Sequence, residues 1–106
     1  MAARKGMFKR NMSLKQNALE NLRAEIDALD DELSTLLDKR LEIASKIALI
    51  KQESPIYRPK REQEILKRLL QRDFKYLNEE ALTSIYTEIF KVSKSFQESV
   101  LKALKK

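Results

Sequence analysis

The sequence is poor in residues that interrupt or cross-link a chain. Its 106 residues include one glycine (Gly6), two prolines (Pro55 and Pro59) and no cysteine, histidine or tryptophan. Without cysteine there is no disulfide and no thiolate, which fits a reducing compartment such as the cytoplasm. Without histidine as well, Ser-His triads and ordinary zinc sites lack their parts. An enzyme built from this chain has to work by positioning and electrostatics, using arginine, lysine, carboxylates, hydroxyls and amides. Long apolar runs are also missing. No segment approaches the roughly 20 residues needed to cross a bilayer, so the sequence predicts a soluble protein with no membrane partner.

Acidic residues are absent from both ends. Residues 1–13 hold Arg4, Lys5, Lys9 and Arg10, and residues 102–106 hold Lys102, Lys105 and Lys106, whereas the whole chain carries a net charge of +6. The body between the tails is therefore close to neutral, which argues against a domain-wide face for nucleic acid. The aromatics fall mostly at helical core spacings or in connections, not interleaved with cations as a base-stacking platform requires. Residues 1–13 have no apolar h-region of a secretory signal. They are expected to be a flexible basic segment, or a cloning remnant, ahead of one domain over 14–104.

What is abundant is helical. Leucine, lysine, glutamate, alanine and isoleucine lose little rotamer freedom in a helix. Ser13-Leu-Lys-Gln16 fits a capping box. From there Leu19, Leu22, Ile26, Leu29, Leu33, Leu36, Ile43, Ile47 and Ile50 recur in steps of three and four, with Arg40 standing where the seam calls for an apolar residue. This predicts one long helix over about 14–53, roughly 60 Å in length. The rest of so small a chain cannot cover that stripe, and a second copy can. A second, short helix is expected over about 59–72, with Pro59 in its first turn. A third is expected over about 79–104, capped by Asn78, with Glu79 and Glu80 facing the helix dipole. Its seam runs Leu82, Tyr86, Ile89, Phe96, Val100 and Ala103, and is interrupted by Ser93, with Gln97 one turn on. The predicted class is all-α, three helices forming an intertwined homodimer.

A polar residue in each of two otherwise apolar seams suggests a polar pocket inside the bundle, since breaks in a consistent pattern tend to mark function. The bland alternatives are an Arg40 that snorkels to the edge of a broad stripe and a Ser93 that bonds back along its own helix.

Four stretches carry a resemblance. L-R-A-E-I-D-A-L-D-D-E-L-S-T-L-L-D-K-R (22–40), K-I-A-L-I-K (46–51), R-P-K-R-E (58–62) and S-K-S-F-Q (93–97) are similar, in order and spacing, to the all-α class of chorismate mutases. The resemblance covers about residues 18–100. It implies a homodimer of three-helix chains with shared active sites and an isomerase activity, the pericyclic rearrangement of chorismate to prephenate in phenylalanine and tyrosine biosynthesis. That reaction needs no cofactor and no metal. Carried over position by position, it implies that Arg23 reaches one substrate carboxylate from the partner chain and Arg40 grips the other. Lys51 would touch a carboxylate and the ether oxygen, and Gln97 would donate to that oxygen from the opposite side. Ser93 would hold a carboxylate, and Glu62 would accept from the ring hydroxyl with Arg61 beside it. Arg58 stands where many members have an acid, and is kept as a substrate-binding candidate. The closest rival enzyme is an isochorismate pyruvate lyase-like activity on the same fold. Outside enzymes, the alternatives are a helical dimer that binds acidic partners through its basic tails and a purely structural coiled coil.

Overall fold

In a computed structural model of the chain, the described residues are 2–52 and 58–105, with side chains described from residue 13 onward. Three helices follow one another: α1 (Ala2–Ile50), α2 (Pro59–Leu70) and α3 (Glu79–Leu104). No strand occurs among the described residues, and the expected all-α class holds. None of the helices is long and apolar enough to cross a membrane.

The helix boundaries follow local chemistry. α1 is helical from Ala2, so the Ser13 capping box lies inside the helix and does not start it. Upstream of Ser13 the strongest helix-disfavouring residue is Gly6, at a cost of about 1 kcal/mol relative to alanine. At the other end the Lys51 N–H donates to the Ile47 carbonyl at 3.0 Å, so Lys51 is still held by the last turn. The expected end near residue 53, and the Pro55-Ile-Tyr57 stretch, lie outside the described residues. α2 begins with Pro59 directly after Arg58, whose φ of −131° and ψ of 88° keep it out of the helix. A residue before proline is pushed that way by the proline ring. α2 stops at Leu70, two residues short of expectation. α3 starts where predicted: the Asn78 side-chain oxygen accepts from the Ala81 N–H at 2.8 Å.

The chain divides into two compact units, residues 1–38 and 39–106. The first is the greater part of α1. From Ser13 onward its side chains are all exposed, including Leu19, Leu22, Ile26, Leu29, Leu33 and Leu36; Ile26, for instance, is 57% exposed. The second unit comprises the end of α1 together with α2 and α3. Its core is a cluster of Ile65 and Leu69 from α2 with Leu82 and Phe90 from α3. Leu66, Phe74, Leu77 and Tyr86 pack against it. On the end of α1 the buried residues are Ala44 and Ala48, whereas Ile43, Ile47 and Ile50 remain exposed.

That last observation locates Arg40 relative to the core this chain forms by itself. The inward face of α1 within this unit is the alanine pair, not the isoleucine stripe. At 100° per residue, Arg40 and Lys51 fall on the border between the two faces. Both are half-buried. Arg40 therefore stands between this chain's own core and the stripe that it leaves open. The α3 seam shifts in the same way, with Phe90 buried and Ile89 only half-buried.

Candidate active site

A half-open cleft of about 730 Å³ lies within the second unit, walled by the end of α1, the first turns of α2 and the middle of α3. Of the eight residues expected at the site, seven line it: Arg40, Lys51, Arg58, Arg61, Glu62, Ser93 and Gln97. The eighth, Arg23, is exposed on α1 in the first unit and does not line this cleft.

Each wall has a local reason. On α1, Arg40, Ala44, Ala48 and Lys51 sit at steps of four, four and three, which at helical pitch puts two cations at the ends of a small-residue floor. On α2, Pro59 fixes the start of the helix. The Glu62 N–H then closes the first turn onto the Arg58 carbonyl at 3.1 Å, bringing Arg58, Arg61 and Glu62 to the rim. On α3, Ser93 and Gln97 are four apart and share a face, with Phe90 one turn earlier.

The interior and the rim differ. Arg40, Lys51, Glu62, Ser93 and Gln97 are half-buried, whereas Arg58 and Arg61 are exposed. Arg61 is engaged on its own helix, where its guanidinium lies 3.6 Å from the Glu64 carboxylate. Such an exposed pair contributes little energy. Gln97 is the most firmly held of the interior groups. Its Nε2 donates to the Ala44 carbonyl at 2.8 Å, joining α3 to α1 across 53 residues of sequence. The amide has two N–H bonds, so one remains available to a ligand. The Arg40 guanidinium lies over the Phe90 ring, 5.8 Å from its centroid.

Six cations and two carboxylates line the cleft: Arg40, Lys51, Arg58, Lys60, Arg61 and Lys94 against Glu62 and Glu64. A small anion with more than one negative charge is the ligand such a lining attracts. The half-buried groups offer a planar fork, an ammonium, a hydroxyl and an amide donor, with one carboxylate acceptor. They can bind and orient an anion, and they can place donors against an oxygen that gains charge.

Sequence reasoning missed Ala44, Ala48 and Phe90. The alanines had a signal, an i, i+4 pair of small residues between two cations. Phe90 had one too, as an aromatic one turn after Tyr86; the two rings meet edge to face at 5.8 Å.

The family model for chorismate mutase type II matches residues 22–98. The crystal structure of chorismate mutase from Helicobacter pylori in complex with prephenate is 79% identical, with a TM-score of 0.80. The match covers 81% of this chain and 96% of that one. The bifunctional chorismate mutase/prephenate dehydratase of Aquifex aeolicus is 35% identical over 88 residues, which is 77% of this chain but 24% of the relative. The T-protein of Haemophilus influenzae is 51% identical over 47 residues, 42% of this chain and 12% of the relative. The chain thus spans about a quarter or less of these two curated relatives. The matched span runs from the start of the 22–40 motif to just beyond Gln97, taking in every residue expected at the site, and on that ground the chain belongs to the type II chorismate mutase family.

Proposed function

We propose that this chain catalyses the rearrangement of chorismate to prephenate, acting as a homodimer of domains spanning about residues 14–104. The observation that carries the reading is the convergence of Arg40, Lys51, Glu62, Ser93 and Gln97, from three helices, on one cleft rich in cations. Chorismate is a dianion with a ring hydroxyl and an enol ether. In a single step its ether C–O bond breaks while a C–C bond forms between the side chain and the ring, and no group leaves. The catalyst has to hold the side chain over the ring and stabilise the charge that builds on the ether oxygen.

Arg40 takes one carboxylate as a fork, helped by Ser93. Lys51 reaches a carboxylate and the ether oxygen. Gln97 donates its remaining N–H to that oxygen, with its amide plane set by the Ala44 carbonyl. Glu62 accepts from the ring hydroxyl. Arg58 and Arg61 lie at the rim, where their charge draws in the dianion. Arg23 comes from a second copy of the chain, whose α1 also covers the exposed leucines and isoleucines. A cytoplasmic setting fits the absence of cysteine.

The test is loss of the ultraviolet absorbance of chorismate, run in parallel with isochorismate and scored for prephenate or for released pyruvate. Prephenate from chorismate is the expected product. Arg40→Ala and Lys51→Ala should each lower kcat/KM by about 10²–10³. Unchanged turnover in both folded variants would overturn these roles, and pyruvate from isochorismate alone would favour the lyase.

A further inference from the structure

Phe90 belongs to two structures at once. It is 8% exposed and part of the α2–α3 core, and it also lines the cleft. The Arg40 guanidinium lies 5.8 Å from its ring centroid. The Tyr86 ring braces it from one turn earlier, with 62° between the ring planes. Among the described residues Arg40 makes no ion pair.

A half-buried guanidinium has to be compensated for lost water. A carboxylate partner would do that by accepting from the same in-plane N–H bonds that a ligand carboxylate requires. An aromatic face does it differently: it attracts the cation through its quadrupole and leaves those donors open. The core position of Phe90 also fixes the ring, so the guanidinium rests on a rigid support.

We infer that Phe90 is the positioning residue for Arg40: its ring face holds the guanidinium at the cleft wall and leaves the in-plane donors to a carboxylate of the bound dianion. The inference rests on the mutase reading of the cleft. It differs from a plain packing role, which any apolar side chain of similar bulk fills.

The experiment compares Phe90→Leu, which keeps apolar bulk but removes the ring face, with Phe90→Tyr, which keeps the face. Chorismate kinetics and calorimetric binding of prephenate are read in both. Phe90→Leu should raise KM and weaken prephenate binding about five- to tenfold, with kcat within about twofold of the parent. Phe90→Tyr should restore both. Adding Phe90→Leu to Arg40→Ala should change nothing further. Equal losses with and without the Arg40 guanidinium, or parental constants in Phe90→Leu, would overturn the assignment. A second readout uses the parent protein, so that no variant has to fold: the Arg40 side-chain proton resonances should be displaced upfield by the ring. Undisplaced resonances overturn the assignment regardless of activity. A parent protein that neither consumes chorismate nor binds prephenate would strike the functional reading instead, and the ring displacement would still decide the Phe90–Arg40 contact.

Discussion

Ala48 is 1% exposed, and the site depends on how small it is. It lines the cleft together with Ala44, whose main-chain carbonyl accepts from the Gln97 amide of α3. That carbonyl already accepts one bond within its helix, and its second lone pair serves Gln97. Ala48→Leu would force extra carbon into a packed contact, at a cost of about 1–3 kcal/mol. The expected outcome is a lower thermal midpoint together with reduced kcat, because Gln97 loses its anchor. An unchanged kcat in the folded variant would show that the tether does not orient the amide. Gln97 and Ser93 could be read in the sequence, as polar residues inside an apolar helix. Ala44 and Ala48 left only a faint signal, their spacing between two cations, because alanine is common on every face of a helix and packing tells the faces apart.

Among the elements, α3 was the most legible. Asn78 offers a side-chain acceptor at the N-cap and two glutamates follow it, so start and type were both marked locally. Asn78→Ala should cost about 1 kcal/mol, seen as a lower urea midpoint. Turnover per folded molecule should not change, since Ser93 lies about four turns further along the same helix. The start of α1 was misplaced because a capping box is a preference and not a stop. With no proline upstream of Ser13, the backbone continues as helix on both sides of it. Little in the periodicity of α1 marked the face that this chain buries by itself. Its strongest periodicity, the leucine and isoleucine stripe, belongs to a surface this chain does not bury by itself. The weaker alanine pair is what this chain buries.

At the scale of the whole molecule, that open stripe is the surface the proposed second copy would cover. Ile26 and Ile50, 57% and 84% exposed, stand for a row of apolar side chains that a lone copy leaves in water. Each one buried against a second chain contributes on the order of 1.5–3 kcal/mol. Leu29→Glu would place a charge in that row, and is expected to shift the sedimenting species toward the monomer and abolish turnover. Arg23→Ala leaves the row intact. It should sediment like the parent while losing activity, as the proposed carboxylate contact from a second copy requires. A fully active Arg23→Ala protein would mean that the cleft of one chain suffices. The four motifs could suggest pairing and a shared site. The position of Arg23 relative to any cleft is a property of two chains, and one sequence read along its own helix does not contain it.

The stripe also makes catalysis a matter of mass action. With its rows buried by a second copy, as proposed, the number of sites follows the square of the free-chain concentration wherever pairing is weak. In that regime, halving the amount of chain removes about three quarters of the sites. The same hydrophobic row that defines the long helix would thereby set a threshold amount of protein below which the pathway step slows faster than the protein is lost.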